Sequence, residues 1–276
     1  MPFMFAIKPG LMMPIFALAV ANMMPLAHAQ EPQDQNGRGI TGQFTLGAGM
    51  APEFEGSDDY KAVPLVLGRV AYETYYLEIQ GSSARINLSP LPNIAFGPAV
   101  ASRGGRDHSV DNDRIARMHE IDRAFEAGGF VRFSLRQVLD PTDELAFETE
   151  ILADTSGVYD GYVVTFGPIY SFSPTDNLRL GMRLFATYAD DNFAQTYFGV
   201  NADDAARSGL AQYSASGGLK DAGLGVNALY RFNDSWGLTA TVRYARLLGD
   251  AADSPIVKDA GSPSQTFIGA GVFYRF

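Results

Sequence analysis

The sequence predicts an all-β protein: a transmembrane antiparallel up-and-down β-barrel of twelve strands, with ten as the alternative count. Its periplasmic turns are short and its extracellular loops long and acidic. Three observations carry this. Apolar residues recur at every second position in one segment after another, tight turns alternate with long polar connections, and aromatic residues collect at the ends of the alternating runs. Together they describe a sheet whose two faces meet different surroundings.

Residues 1–29 read as an address rather than as structure. Lys8 gives a basic start, Leu11 to Ala21 an apolar stretch, and Ala27-His28-Ala29 a small-x-small cleavage site before Gln30. That is the pattern of a secretory signal peptide, cleaved on export. Pro14 and Pro25 interrupt the run, which is shorter than the roughly 20 residues a spanning helix needs. Residues 30–39 (QEPQDQNGRG) are polar and aperiodic, an N-terminal tail. The barrel occupies 40–276, where no apolar run is long enough for a helical span.

Within the barrel, residues 177–188 set Leu178, Leu180, Met182, Leu184, Ala186 and Tyr188 on one parity against Arg179, Gly181, Arg183, Phe185 and Thr187 on the other. A strand sends these sets to opposite faces, whereas a helix would mix them. The same split recurs at 125–135, 145–153, 224–232 and 236–244. At 162–172, Pro168 falls on the apolar parity, where a ladder bond must be lost. Eleven runs are readable: 40–50, 63–72, 75–82, 93–102, 124–137, 143–153, 161–172, 177–188, 220–232, 235–248 and 264–276. Single-chain bacterial barrels have even strand counts, so a twelfth strand is expected near Ala84–Leu88, inside 81–92.

The tight turns are Asp140-Pro141-Thr142-Asp143, Ser173-Pro174-Thr175-Asp176 and Asn233-Asp234-Ser235. The long connections are 51–62, 103–123, 189–220 and 249–263. A soluble sandwich also alternates, but has no reason to segregate short and long loops by end. Nor does it explain the aromatics at strand ends, among them Tyr75, Phe96, Tyr162, Tyr188, Tyr230, Trp236 and Tyr244. The chain stops on Phe276, on the parity of Ile268, Ala270, Val272 and Tyr274. Tyr274 and Phe276 resemble the C-terminal signal read by the outer-membrane assembly machinery, which is expected as a partner together with outer-membrane lipid and lipopolysaccharide.

Composition narrows the function classes. The 21 Lys+Arg against 31 Asp+Glu give a net charge of −10, which argues against nucleic-acid binding. The absence of cysteine removes disulfides, thiolate metal sites and thiol nucleophiles. With the apolar parity facing lipid, the lumen receives Arg132, Arg136, Arg179, Arg183, Arg231, Arg243 and Arg275, with Glu78, Glu126, Glu148 and Glu150. Two readings of this basic interior stand open: an anion-biased or substrate-binding channel, and a ladder of Arg–Glu pairs that fills a narrow barrel and holds it shut. The acidic loop residues, such as Asp107, Asp111, Asp203 and Asp204, lack the spacing of a known calcium loop and read as a solvated rim, with no cofactor expected. Asn201 to Gly209 reads as one or two helical turns capped by Asn201. No enzymatic role is expected. His108 and His119 share one long loop, and Ser109 beside His108 is adjacency without an orienting carboxylate.

Several strings are specific. Ala51–Lys61 (APEFEGSDDYK) followed by Val63-Pro64-Leu65, Ala194–Gly199 (AQTYFG) with Ser208-Gly209-Leu210, Tyr244–Val257 (YARLLGDAADSPIV) and the closing Phe273-Tyr274-Arg275-Phe276 resemble the MipA/OmpV family of Gram-negative outer-membrane proteins. The family-signature positions are Glu55, Gly56, Ser57, Asp58, Asp59 and Tyr60 in the first loop, and Gly249, Asp250, Ser254 and Pro255 in the last. The resemblance implies a cell outer-membrane barrel without catalytic residues, exported through a signal peptide. It implies a scaffold role in murein synthesis, in which the name-giving member joins a lytic transglycosylase to a bifunctional penicillin-binding protein. Relatives described as porins or adhesins keep a channel and an adhesin reading open. Because Pro255 and Ile256 are apolar, the signature loops are expected to fold back over the barrel mouth.

Overall fold

The structure, a computed structural model, describes residues 39–276; the segment 1–29 expected to be a signal peptide and all but Gly39 of the expected tail lie outside the described residues. Twelve strands follow in chain order: β1 (Ile40–Pro52), β2 (Tyr60–Tyr72), β3 (Tyr75–Gln80), β4 (Ser83–Asn87), β5 (Ile94–Arg103), β6 (Ala124–Arg136), β7 (Glu144–Asp154), β8 (Tyr162–Thr175), β9 (Leu178–Ala189), β10 (Gly218–Arg231), β11 (Trp236–Leu247) and β12 (Ser264–Arg275). Each pairs antiparallel with the next. β1 pairs with β12 from Gln43–Arg275 to Met50–Ile268, so the sheet closes on itself. The strand hidden in 81–92 is β4. Several strand ends differ from the sequence expectation. β1 and β2 reach further toward each other, shortening the first loop to 53–59, and β8 runs on through Pro174 by a register shift between Phe172 and Thr175.

The alternation has a physical result that reverses a soluble protein. Outward positions carry exposed apolar side chains such as Leu46, Val131, Phe133, Phe147, Leu184, Val242 and Ile268, while Glu78, Arg132, Glu148 and Arg183 are buried inside. Such an outer surface is stable against hydrocarbon, where backbone groups must also be satisfied within the protein, as a closed barrel does. Aromatics flank the belt. Trp236 packs on Tyr274 at 4.9 Å between ring centroids, and Phe276 stacks on Phe44 at 6.1 Å.

One stretch of wall is low. β3 and β4 are 6 and 5 residues long, below the roughly 9–11 a tilted spanning strand needs. β4 pairs in register with β5 at Ser83–Ala101, Ala84–Val100 and Arg85–Ala99, and beyond these Asn87 Oδ1 accepts from the Phe96 N–H (3.0 Å). Above this hairpin, β2 keeps one edge uncovered by β3. The carbonyl of Val66 accepts from the Gly81 N–H (2.8 Å), so by strand alternation Pro64 turns its backbone to the same side. Proline offers no N–H there to a stray strand.

The connections at the end opposite Ile40 and Phe276, 53–59, 104–123, 155–161, 190–217 and 248–263, fold inward and cap the mouth. They carry helices α1 (Asp191–Phe198), α2 (Ala202–Ser208), α3 (Gly249–Asp253) and α4 (Pro255–Lys258) and a 3-10 turn at Ile115–Arg117. α2 has the Asn201 cap, whose side chain accepts from the Asp204 N–H (2.8 Å), and ends on Gly209 in the left-handed region. Phe193, Phe198, Ile256 and Val257 are sealed from solvent at the centre of this cap.

Candidate functional site

The lumen is the candidate site, and the register of the strands builds it. Glu78 stands directly across from Arg69 on one side and Arg85 on the other, and Arg132 across from Glu148. Directly opposed, opposite-charge positions are the sheet's favourable pairs. At mid-height they merge into one layer. The Arg85 guanidinium donates to Glu78 Oε2 through Nε (3.0 Å) and Nη2 (2.9 Å), and its Nη1 lies 3.0 Å from Glu148 Oε2. Arg132 reaches the same oxygen through Nε (2.9 Å) and Nη2 (2.7 Å), and Arg183 Nη1 donates to Glu148 Oε1 (3.0 Å). Glu150 lies at 4.0 Å from Arg85 and Arg69 at 3.9 Å from Glu78. Arg183 reaches Glu148 from β9 because the intervening inward position on β8 is Gly167; a Cβ there would come 2.1 Å from the Leu184 carbonyl oxygen. A residual cavity of about 10 Å³ lies in this layer among Glu78, Arg85, Glu148, Glu150 and Arg183.

Below the layer, toward the short turns, a vestibule of about 1030 Å³ opens among Arg69, Arg132, Arg136, Arg179, Arg231 and Arg275. Of the facing carboxylates, Glu73 is exposed, while Asp143 and Glu144 are engaged. Asp143 accepts from the backbone N–H groups of Val138 (2.7 Å), Leu139 (2.8 Å) and Asp140 (3.0 Å). Burial works to raise its pKa, but these bonds outweigh it and hold the carboxyl below its ordinary range. Glu144 accepts from Ser134 (3.1 Å) and lies 3.7 Å from Arg136. Arg179 rests on the Ser171 hydroxyl (2.8 Å), and Arg231 donates to the Asp176 carbonyl.

Above the layer lies a second, smaller chamber of about 110 Å³ beneath the cap. Arg243 sits at this height with its guanidinium 4.3 Å from the centre of the Phe185 ring. Glu126, expected among the lumen charges, also belongs here: it takes Arg103 Nε (2.6 Å) and the Tyr159 hydroxyl (2.7 Å). Lys220 pairs with both Glu55 and Asp221. Arg106, in the loop after β5, is buried with only distant negative charge, and burial pushes its pKa down to about 10.

The signature positions hold the cap together. Glu55 pairs with Lys220, and the Gly56 N–H donates to Gln265 Oε1 (3.1 Å). Gly56 has φ +103, and a Cβ there would come 2.7 Å from Val257. Ser57 Oγ accepts from the Asp59 N–H (3.0 Å); Asp58 is exposed, and Tyr60 opens β2. Gly249 starts α3 at φ +52, and Asp250 accepts from the Ser216 N–H (2.8 Å). Ser254 donates to the Phe198 carbonyl (2.6 Å), and Pro255 begins α4. Tyr274 lies on the outer face, and Phe276 exchanges both backbone hydrogen bonds with Gly42 (3.0 Å each) at the closing seam.

Several inner charges escape the parity of single strands. Arg69, Arg85 and Arg103 lie in strands whose bounds are blurred in the sequence, although Ser83, Arg85 and Asn87 alternate with Ala84, Ile86 and Leu88 and carry the signal. Lys220 and Asp221 are adjacent yet both buried, because a register shift between Leu219 and Asp221 breaks the parity. The acidic rim needs correction: Asp204 is buried, accepting from the His119 N–H (2.7 Å) and from Arg207 (2.9 Å), Glu53 is buried and accepts from the Asp111 N–H (2.9 Å), and Glu55 pairs with Lys220. The Ser109 hydroxyl bonds Asp107 (2.5 Å) and the His108 ring lies at the Ala116 carbonyl (2.6 Å), so no nucleophile–base pair forms there.

A closed antiparallel barrel with an apolar belt, charged lumen and capped mouth defines an outer-membrane β-barrel protein of a Gram-negative bacterium, without an enzyme's constellation among the described residues. Residues 44–276 match the family model described as MltA-interacting protein MipA, and the chain belongs to that family. It is 27% identical over 247 residues to the MltA-interacting protein of Escherichia coli (strain K12), covering 85% of this chain and 91% of that one. It is 31% identical over 137 residues to the outer membrane protein OmpV of Vibrio cholerae, a match spanning 50% of this chain and 49% of OmpV. The chain thus spans about half the length of OmpV and likewise of Omp26La of Vibrio anguillarum (49%). Among solved structures, the NanC porin aligns with a TM-score of 0.44 and 8% identity, covering 84% of this chain and 100% of that one.

Proposed function

We propose that this barrel is a conduit for small anionic solutes, held shut at rest by the ion-pair layer and the loop cap. The observation that supports this most is the vestibule. Its arginines outnumber its carboxylates, and Asp143 and Glu144 are already engaged by the turn, by Ser134 and by Arg136. A wide, basic mouth concentrates anions from the periplasm. The layer above it is a set of side chains rather than backbone, so its rearrangement opens a path without breaking the barrel.

The test is single-channel conductance of the refolded protein in planar bilayers. Wild type gives infrequent, anion-biased steps, Glu148→Gln makes them frequent by loosening the layer, and Arg179→Glu with Arg183→Glu inverts the bias. Silence from wild type and Glu148→Gln alike rejects the channel.

A second reading has its own support. The family is described by interaction with MltA, and a lumen closed at two levels suits an adaptor. On that reading the purified barrel retains a lytic transglycosylase and a bifunctional penicillin-binding protein from detergent extract and carries no current. An adhesin role has no residue-level support beyond the acidic outer loops.

A further inference from the structure

The chamber beneath the cap is distinct from the vestibule, since the Glu78–Arg85–Glu148–Arg183 layer lies between them. Its charges are unevenly paired: Glu53, on the same wall, accepts from the Asp111 N–H (2.9 Å) and has no cation within ion-pair distance among the described residues. Arg103 has Glu126 and Glu55, and Lys220 has Glu55 and Asp221. Arg106 and Arg243 have no ion-pair partner among the described residues. Each lies over an aromatic ring instead, Arg106 at 5.7 Å from the Phe54 ring centre and Arg243 at 4.3 Å from Phe185. The Nε atoms of both arginines and the Tyr197 hydroxyl are buried without a hydrogen-bond partner. Arg106 and Tyr197 are themselves more than nine-tenths buried. Asp221 Oδ1, on the same wall, is also without a hydrogen-bond partner, so three unmatched donors stand against one unmatched acceptor. Buried donors left unmatched are costly, and the excess calls for a further acceptor. The rest of the wall includes Phe54, Leu247 and Phe267. At about 110 Å³ the space is smaller than the roughly 150 Å³ cavity that admits benzene, which limits the ligand to one small ring.

We infer that the capped chamber is a binding site for a small monocarboxylate with a flat apolar body, of the size and charge of benzoate. The carboxylate accepts from the Arg106 and Arg243 guanidinium groups, the geometry arginine suits best. The ring lies against Phe54 and Phe267, which supply the apolar contact a small-molecule site requires. A neutral ring leaves the guanidinium groups unmatched, and a bare anion leaves the apolar wall wet. This inference goes beyond the conduit reading and is measured without a bilayer current, so each can fail alone.

The experiment is isothermal titration of the full mature barrel, folded in detergent, with benzoate, benzamide and acetate. Benzoate binds one to one and about tenfold or more tighter than either control. Ala245→Phe, which fills the chamber, and Arg243→Met, which removes one cation, each weaken benzoate by about tenfold or more, with heat-modifiable gel migration reporting that the barrel still closes. If one variant fails to close, the ligand series on wild type and the other variant decide. The inference is overturned if benzoate does not bind, if benzamide binds as well, or if Ala245→Phe leaves benzoate binding unchanged; the chamber then holds water only.

Discussion

Glu148 receives the guanidinium groups of Arg85, Arg132 and Arg183 with two oxygen atoms, all of them buried. Taking charges out of water is unfavourable, and the attraction between them compensates only while each keeps its partner. Removing this one carboxylate strands three cations at once. Glu148→Ala is therefore expected to destabilise the barrel by about 3–5 kcal/mol or more, read as a lower transition temperature in heat-modifiable gel migration. A stability equal to wild type would mean that the layer is solvated rather than an interlocked set of pairs. The parity rule alone places Arg132, Arg183 and Glu148 on the inner face, because each strand has a lipid side that excludes charge. It does not show that they converge on one carboxylate. That depends on the register between strands and on Gly167 leaving the way clear, neither of which a single strand's pattern contains. At Lys220 and Asp221 the rule fails outright, since a bulge sends neighbours to one face.

The elements of the wall are legible where period two runs long and poorly legible where it runs short. β3 and β4 lack the length for alternation to stand out, and the even-count rule rather than the pattern asks for β4. The cap is a different case. α2 announces itself through Asn201, whose side chain is a ready acceptor for a helix N-terminus. α1 does not stand out in the same way, although Asp190 caps it by accepting from the Phe193 N–H (3.0 Å). Its Phe193, Ala194, Tyr197 and Phe198 recur at helical spacing and pack into the cap's core. The family strings lie in these same loops, and the structure gives them a common physical role. Gly56 makes room for Val257, Ser254 fixes Phe198, and Glu55 anchors to Lys220. The cap is then a packed unit rather than a set of solvated loops. In intact cells, external protease should cut 248–257 slowly in wild type and rapidly in Ile256→Asp, which puts a charge at a fully buried position. Equal, rapid cutting of both would show that the loops stand open in the membrane.

Taken whole, the molecule is an inverted protein, with grease outside and a charged core within, divided along its axis. A broad basic vestibule opens at the end that carries Thr41 and Arg275, an ion-pair layer closes the middle, and a small chamber sits between that layer and the cap. The conduit and adaptor readings both rest on this division, and the chain's lack of cysteine allows it to be mapped by single-cysteine labelling. Ser134→Cys lies in the vestibule and Thr187→Cys in the upper chamber. With a small, membrane-impermeant thiol reagent supplied from the periplasmic side of spheroplasts, Ser134→Cys should react quickly. Thr187→Cys should react far more slowly, from either side, and should speed up when Glu148→Gln is added. Equal, rapid labelling of both positions in the otherwise wild-type barrel would mean that no barrier separates the two spaces, and the divided lumen would be wrong.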